Sequence, residues 1–402
     1  MSLGKVIAKD LKGDRSIWLI VFFLGILSLL AVYSAVGSMA YTTRDGNTIF
    51  YLIQQLIFIS IGFFIMWISY RLDYMFYSKL APILLIISIP LLIYTIGFGT
   101  EVNDARRWIT IPWIDKTFQT SDFARIALIM FLARSIAKRQ ENIKDFKSAF
   151  IPLLLPVLIV TLLIAPSNLS TALLLFTTSV LMIFIGRIHL KYIFLLFLAG
   201  LIFIGLILAI SEFLPELSRG ETWKNRIQEY ALFDDGGYQI QQSKIAIARG
   251  EWLGVGPGNS IQRNYLPYPY ADFIYAIIVE EYGIIGGLSV LGLYLWLLFR
   301  GISIVTRSPK TFGAMLSLGL ILNIVIQAFA NIAVSVHLLP VTGLTLPLIS
   351  MGGTSLLITY LSLGIILSVS KYVEKAEKEK IALREIEIRN EQVSPSVEFD
   401  QN

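Results

Sequence analysis

Residues 148–186 read SAFIPLLLPVLIVTLLIAPSNLSTALLLFTTSVLMIFIG, a run of 39 residues without a charged side chain. A helix needs about 20 apolar residues to cross the hydrocarbon core of a bilayer, so this run is long enough for two crossings. Pro166, Ser167 and Asn168 stand near its middle and are typical of a tight turn. The run therefore predicts a pair of membrane helices joined by a short turn.

The same pattern continues on both sides of this run. Over its 402 residues the chain is 55% hydrophobic and 15% charged, with a mean hydropathy of +0.70, and is far more apolar than a soluble domain. We therefore predict an all-α polytopic membrane protein with about ten transmembrane helices. The ten candidate segments are residues 16–37, 49–70, 79–98, 120–136, 149–165, 168–186, 190–211, 272–299, 312–332 and 351–370.

Lysine and arginine concentrate in alternate connections between these segments, as expected when the basic connections stay in the cytoplasm. The short outer connections hold only Arg44, Arg106, Arg107 and Lys116. We predict that both termini are cytoplasmic and that a large extracytoplasmic loop, about residues 212–271, separates helices 7 and 8. Residues 1–370 are then one membrane domain, and residues 371–402 are a charged cytoplasmic tail that is more typical of a solvated helix than of a docking site.

Composition excludes several kinds of chemistry. The chain has no cysteine, which rules out a disulfide, a thiolate nucleophile and a cysteine-ligated metal. Its net charge of +5 is spread among the connections and does not favour nucleic-acid binding. His189 and His337 are predicted on opposite sides of the membrane, so they cannot share a metal ion. The glycine run GVGPGNS, residues 254–260, lacks the Lys-Ser or Lys-Thr of a phosphate-binding loop, so it does not predict a nucleotide site. Its glycines favour tight turns that bring backbone N–H groups near a ligand.

Ionisable side chains occur inside one candidate segment, FQTSDFARIALIMFLARSIAKRQ, residues 118–140. Asp122 and Arg125 are three residues apart, so they share a helix face and can pair. Ionisable groups are costly within a membrane and usually line a cavity or a site, which favours a functional role. A structural ion pair that fixes helix packing is the alternative, and the spacing leaves it open.

Two further places indicate a binding site on the predicted outer side. Arg106 and Arg107 stand beside Trp108, where their guanidinium forks could bind the phosphate of a lipid headgroup; interfacial snorkelling is the alternative. Residues 337–355, HLLPVTGLTLPLISMGGTS, interrupt an uncharged stretch with prolines and glycines. Broken backbone at membrane depth is tolerated where it is buried in protein or lines a wet cavity, so we expect a cavity open to the outer leaflet.

Asp272 lies where the predicted outer loop meets the next apolar segment, in YLPYPYADFIYAIIVEEYGIIGG, residues 265–287. A carboxylate at a membrane boundary is costly, which makes it a candidate functional group. Glu280 and Glu281 follow on the same predicted helix, roughly 12 Å deeper. We predict that these two glutamates are structural or gating groups, because that distance removes them from Asp272.

Five motifs together resemble those of one known family. Besides residues 265–287 they are ARRWI (105–109), QTSDFAR (119–125), YQIQQSKIAIARGEWLGVGPGNS (238–260) and PVTGLTLPLISMGGTS (340–355). They occur in the expected order over nearly the whole chain. The sequence resembles the SEDS family (FtsW, RodA and SpoVE), membrane glycosyltransferases that polymerise peptidoglycan from lipid II, and most of all its division branch, FtsW.

The chain departs from the family motifs at four positions. Thr120 replaces a proline, and Asp122 and Arg125 replace a glutamate and a lysine without changing the charge. Asn168 replaces an aspartate. Any family role that needs a charge at that turn is therefore not carried over to this chain.

The resemblance implies that Asp272 is the catalytic carboxylate. The chemistry agrees, because the sugar 4-hydroxyl of lipid II is a poor nucleophile until a base takes its proton. Negative charge develops on the leaving undecaprenyl pyrophosphate, so Arg107 and Arg125 are expected to stabilise it, with Arg106 in reserve. The remaining residues expected to bind substrate are Asp122, Trp108, Gln239, Ser243, Ser260, Pro340, Thr342, Gly343, Ser350, Gly352 and Gly353.

The resemblance also implies a cellular setting. The expected substrates are lipid II and undecaprenyl-diphosphate-linked glycan, the expected partners are a class B penicillin-binding protein, other divisome membrane proteins and membrane lipid, and the location is the cytoplasmic (inner) membrane of a bacterium. A divalent cation, Mg²⁺ or Mn²⁺, is the expected cofactor, without a nucleotide. A lipid II flippase or other transporter is one alternative, although the sequence shows no clear internal repeat; a non-catalytic divisome scaffold is another.

Overall fold

The computed structural model describes residues 13–43, 46–102, 105–111, 116–213, 226, 228–230 and 237–393. Within these ranges, long helices pack into a bundle that carries one small sheet. The helices are α1 Arg15–Ala35, α2 Gly37–Thr43, α3 Thr48–Arg71, α4 Tyr74–Phe98, α5 Thr120–Lys138, α6 Ile151–Ile164, α7 Leu169–Ile185, α8 Leu190–Phe213, α9 Tyr238–Gly250, α10 Ile274–Arg307, α11 Thr311–Ser335 and α12 Gly353–Val393.

Each of the ten predicted segments coincides with a helix, so the polytopic helical class is confirmed. Seven helical regions of the described chain are long and apolar enough to cross a membrane: α1, α3, α4, α6 with the π turn Phe146–Phe150 before it, α10, α11 and α12. The helix α7 and the first part of α8 are shorter apolar helices. The helix α5 is not among these seven because it carries Asp122, Arg125, Arg134 and Lys138. Its side chains are mostly buried among the other helices and need not face lipid.

Each connection joins the end of one long helix to the start of the next at one end of the bundle, so successive long helices run in opposite directions. One end holds the start of α10 and the loop 336–352 between α11 and α12; we call it the Asp272 end. At the opposite end, the Arg300 guanidinium lies 2.6 Å from Oδ2 of Asp14, which also caps α1. There the N–H of Gly13 donates to Oε2 of Glu374 at 2.6 Å, so the start of α1 is tied to the charged extension of α12.

The sheet lies at the Asp272 end and was not predicted from the sequence. Its three antiparallel strands follow one another in space as β1 Thr100–Val102, β2 Ala105–Ile111 and β3 Lys116–Gln119. Trp108 in β2 pairs with Gln119 in β3. Because side chains alternate between the two faces of a strand, neighbouring residues of β2 point in opposite directions.

A tight approach of two backbones shapes the middle of α10. The helix is interrupted at Gly283, where φ is 70°, and the loop after α9 lies against the interruption. The N–H of Val255 donates to the carbonyl of Glu280 at 3.0 Å. Gly254 has φ +81°, and a Cβ there would lie only 2.2 Å from the carbonyl oxygen of Glu281. These glycines therefore allow backbone to pack on backbone, and the N–H of Val255 is engaged within the protein rather than by a ligand.

We expect Gly254→Ala to lower the free energy of unfolding by about 2 kcal/mol. The alanine would adopt an unfavourable positive φ, and its Cβ would also clash with the carbonyl oxygen of Glu281. The matched control is Gly258→Ala, because Gly258 has φ +77° but no atom within 4 Å of a Cβ built on it. Thermal unfolding of the purified variants in detergent measures both effects. An equal loss in the two variants would show that backbone strain alone matters and that the contact with Glu281 does not.

Candidate active site

Asp272 lies in a turn immediately before α10, at the end of the bundle that carries the sheet. The N–H groups of Ala271 and Asp272 both donate to the carbonyl of Tyr268, at 3.0 and 3.3 Å, which closes the turn. The carboxyl faces the loop 336–352, since a Cβ on Gly343 would lie 3.7 Å from its Oδ2. Asp272 and Gly343 are both half-buried, so the carboxyl can be reached from this end.

Two arginines act on the Asp272 carboxyl. Burial raises the pKa of Asp272 above its ordinary value, while the charges of Arg226 and Arg107 oppose that rise by favouring the ionised form. Both guanidiniums are anchored to backbone carbonyls: Arg226 Nη1 donates to Val341 at 3.1 Å and Arg107 Nε donates to Ser167 at 2.7 Å. The site thus combines a proton acceptor of raised pKa with two fixed positive charges.

Arg106 and Arg107 are neighbours in the sequence, but their side chains lie on opposite faces of β2. Arg106 is about half exposed and faces Glu101 of β1, with Nε and Oε2 3.5 Å apart. Arg107 is directed to the site, and its guanidinium carbon lies 6.0 Å from the centre of the Trp108 ring. Among the predicted phosphate ligands, the structure therefore brings Arg107 near Asp272 and turns Arg106 away.

The predicted pair of Asp122 and Arg125 forms, but it is enclosed. Arg125 Nη2 lies 2.9 Å from Oδ1 of Asp122, and Nη1 donates to Oε1 of Gln327 in α11 at 2.6 Å. The two charged side chains are only 3–4% exposed. This arrangement fits the structural alternative, an ion pair that fixes helix packing, while contact of Asp122 or Arg125 with a substrate stays a prediction.

The loop 336–352 and the start of α12 contain most of the remaining predicted ligands. Ser350 is buried, and its hydroxyl donates to the carbonyl of Ala271 at 2.6 Å while it accepts the N–H of Leu346 at 2.8 Å. It therefore holds the turn of Asp272 in place. Pro340, Thr342, Gly343 and Gly352 are half-buried and Gly353 is exposed, so their proposed substrate contacts stay predictions.

The three predicted ligands of α9 and the following loop differ in exposure. Gln239 is half-buried in the first turn of α9. Ser243 is fully buried and donates to the carbonyl of Ser335 at 2.7 Å. Ser260 is buried and donates its hydroxyl to Glu280. The two serines thus have structural partners, whereas contact with a substrate stays a prediction for all three.

Glu280 and Glu281 are both buried and both anchor the loop that precedes Asp272. Glu280 forms an ion pair with Arg249 at 3.0 Å and accepts the Ser260 hydroxyl. Glu281 accepts the hydroxyl of Ser34 in α1 and the N–H of Ser260 at 3.3 Å. Their contacts support the structural interpretation made from the sequence.

The expected divalent cation stays a prediction. Within the described ranges, no three carboxylate or imidazole side chains come together in a way that could hold a metal ion. The charged partners of Asp272 are arginines, which would repel a cation placed beside that carboxyl. The side chains present therefore do not fit a resident metal ion, and the reaction steps below use none.

Two features of the site were missed in the sequence. Arg226 belongs to the large loop, and no motif marked it. The other feature is Asn331, which reaches the backbone of Asp272 and belongs to a row of polar side chains at intervals of four residues on α11: Asn323, Gln327, Asn331 and Ser335. That row could have been found, because polar groups repeated along one face of a membrane helix are costly and usually bind something.

Together, the fold and the site define a polytopic membrane protein that holds a carboxyl group beside two anchored arginines at one end of its helical bundle. The sequence agrees with this class. The chain belongs to the cell cycle protein family of FtsW, RodA and SpoVE, whose sequence model matches residues 14–375. The resemblance noted from the motifs is therefore confirmed.

Relatives with assigned names match nearly the whole chain. Stage V sporulation protein E of Bacillus subtilis is 34% identical over 370 residues, which cover 90% of this chain and 98% of the relative. The probable peptidoglycan glycosyltransferase FtsW of Alkalilimnicola ehrlichii is 35% identical over 370 residues, covering 89% of this chain and 88% of that protein.

Solved structures show the same fold at lower identity. A peptidoglycan synthase complex that coordinates polymerization and crosslinking contains a chain with a TM-score of 0.69 and 23% identity, covering 90% of this chain and 98% of that one. The rod shape determining protein RodA of Thermus thermophilus gives a TM-score of 0.65 at 22% identity, with the same coverage.

Proposed function

We propose that this protein is a peptidoglycan glycosyltransferase that polymerises lipid II into glycan strands during cell division. The observation that carries the proposal is the accessible Asp272 carboxyl with Arg107 and Arg226 beside it. Relatives with comparable length are named probable peptidoglycan glycosyltransferase FtsW, which supports the same reaction.

The reaction requires one base and a positively charged environment for the leaving group. Asp272 takes the proton of the 4-hydroxyl of lipid II, and that oxygen attacks the anomeric carbon of the undecaprenyl-diphosphate-linked glycan. The bond from the anomeric carbon to the phosphate oxygen breaks, and the electron pair leaves with undecaprenyl pyrophosphate. Arg107 and Arg226 offset the charge that develops there. Because an α linkage becomes a β linkage, a single displacement suffices, without a covalent glycosyl-enzyme.

The distribution of basic residues supports an outward-facing site. The Arg300 end also carries Arg71, Arg139, Arg187 and Arg307, and basic residues are retained on the cytoplasmic side. In this orientation the Asp272 end faces outward from the cytoplasmic (inner) membrane of a bacterium, and both termini are cytoplasmic. A class B penicillin-binding protein is the proposed partner, in line with the synthase complex that shares this fold.

The decisive experiment is incubation of the purified protein with labelled lipid II, with and without the partner penicillin-binding protein. Glycan strands separated by gel electrophoresis are the expected product. Movement of lipid II across vesicle membranes without polymer would instead support a flippase. Absence of both, together with normal division in cells that carry Asp272→Asn, would support a scaffold.

Removal of the positive charge beside Asp272 should change the pH dependence of this reaction. In Arg107→Gln the ionised form of Asp272 loses a stabilising charge, so the pKa rises further and the acid limb of the rate profile moves to higher pH. At neutral pH the rate should fall by about 100-fold, because a donor for the leaving group is also lost.

The pH profile of initial polymerisation rates, measured for the wild type and the variant, tests this prediction. Arg106→Gln is the matched control, since Arg106 is the neighbouring residue on the opposite face of β2 and pairs with Glu101. Its acid limb should stay in place. If the acid limb moved equally in both variants, the cause would be the change in net charge. If it did not move in Arg107→Gln, Arg107 would not act on Asp272.

A further inference from the structure

Three hydrogen bonds from residues distant in the sequence hold the backbone of the turn that carries Asp272. All three consecutive carbonyls of residues 270–272 accept a hydrogen bond from α11 or from the loop after it. The donors are the N–H of Met351 at 2.9 Å, the hydroxyl of Ser350 at 2.6 Å and the amide of Asn331 at 2.7 Å. The position of the Asp272 backbone is therefore set by the segment 331–351, about 60 residues or more further along the chain.

Asn331 differs from the other two donors because it lies on α11, outside the loop 336–352, and binds both that loop and the turn of Asp272. Its Nδ2 donates to the carbonyl of Asp272 and, also at 2.7 Å, to the carbonyl of Leu344. An amide nitrogen carries two hydrogens, so the donor capacity of this side chain is fully used. Leu344 follows Gly343, which lies against the Asp272 carboxyl. The Asn331 side chain thus ties both the base and the loop that faces it to α11.

Asn331 itself cannot contact a substrate. It is 1% exposed and lies within α11, a helix whose residues are mostly buried in the bundle. Two other members of the polar row have other partners. Gln327 connects Arg125 with the carbonyl of Thr345, and the Ser335 hydroxyl donates to the carbonyl of Asn331 at 3.0 Å. Asn331 is therefore the member of the row that acts on the Asp272 backbone.

We infer that Asn331 is a positioning residue for the base, which holds Asp272 and the loop 336–352 in the geometry that proton transfer requires. This inference rests on the proposed function. A base acts over a hydrogen-bond distance, and a displacement of about 1 Å can lower a rate by about 100-fold without preventing binding. Loss of Asn331 should accordingly affect turnover rather than affinity.

The test compares Asn331→Ser with Asn323→Ser, which is on the same face of α11 two turns away and lacks contact with the turn 270–272. In Asn331→Ser we expect kcat for lipid II polymerisation to fall by about 100-fold and KM to change less than about twofold. Asn323→Ser should keep both constants. Should Asn331→Ser fail to fold, Asn331→Leu, which has nearly the same shape without the two donor hydrogens and without a charge, replaces it.

Hydrogen–deuterium exchange supplies a readout that does not depend on activity. In the intact Asn331 variant, peptides covering residues 268–273 and 342–346 should exchange faster than in the wild type, while residues 285–300 stay unchanged. Unchanged exchange in the first two peptides would overturn the inference, and so would equal losses of kcat and stability in both serine variants. Failure of the wild type to make polymer would refute the proposed function, whereas the exchange data would still decide the role of Asn331.

Discussion

Asp272→Asn should abolish glycan-strand synthesis while the protein stays folded. An amide cannot take the proton of the attacking hydroxyl, and loss of a general base costs about 100-fold to 10,000-fold in rate. The fold should tolerate the change because the amide has nearly the shape of the carboxyl. Burial raises the pKa of Asp272, which means that the ionised form is less stable in the folded protein than in the unfolded chain. Removal of that charge at neutral pH should leave the melting temperature unchanged or slightly higher.

Initial rates with labelled lipid II and thermal unfolding of the same preparation measure both parts of this prediction. Asp145→Asn is a suitable control, because Asp145 lies at the Arg300 end, where its carboxylate caps a short turn by accepting the N–H of Ser148 at 2.7 Å. Asparagine caps helices equally well, so this variant should keep full activity. Full activity of Asp272→Asn would remove the assignment of the base, and loss of activity through unfolding would appear as a lower melting temperature.

The membrane helices could be predicted from the sequence because each one depends on the apolar residues of its own segment. A segment of about 20 apolar residues has few alternatives in a bilayer, since its backbone groups must be satisfied within the segment itself. Asp272 could be located for a related reason: a carboxylate at the border of an apolar segment is costly and therefore conspicuous. Each of these inferences needed only a window of neighbouring residues.

The features that escaped prediction depend on contacts between distant segments. The sheet of β1, β2 and β3 forms through short strands whose pairing is weak in isolation. The sequence alone did not show that this sheet separates the side chains of Arg106 and Arg107. Arg226 becomes part of the site only because the large loop returns to Val341. The spacing of Asp122 and Arg125 predicted their pairing, but not the third partner, Gln327, 202 residues away.

Gln327 completes the buried contacts of the pair Asp122–Arg125, so we expect a substitution of Arg125 to lower the stability of the protein strongly. Arg125→Ala should destabilise the protein by about 3–5 kcal/mol, because it leaves the Asp122 carboxylate buried without its cation. Gln327 would also lose the donor to its Oε1. Arg125→Lys should recover part of this loss, since a lysine restores the charge but lacks the planar fork that reaches two partners. Thermal unfolding in detergent and the yield of folded protein compare both variants with the wild type.

The double variant Asp122→Asn/Arg125→Met separates the structural role of the pair from a role in binding. It removes both buried charges at once, so it should regain most of the stability that Arg125→Ala loses. If the pair only fixes the packing of α5 against α11, the folded double variant should polymerise lipid II at close to the wild-type rate. If Arg125 binds the substrate phosphate, the double variant should be stable and yet show a raised KM. The enclosure of both charged groups leads us to expect the first result, because a guanidinium held by Asp122 and Gln327 at 2.9 and 2.6 Å has its outer nitrogens already engaged.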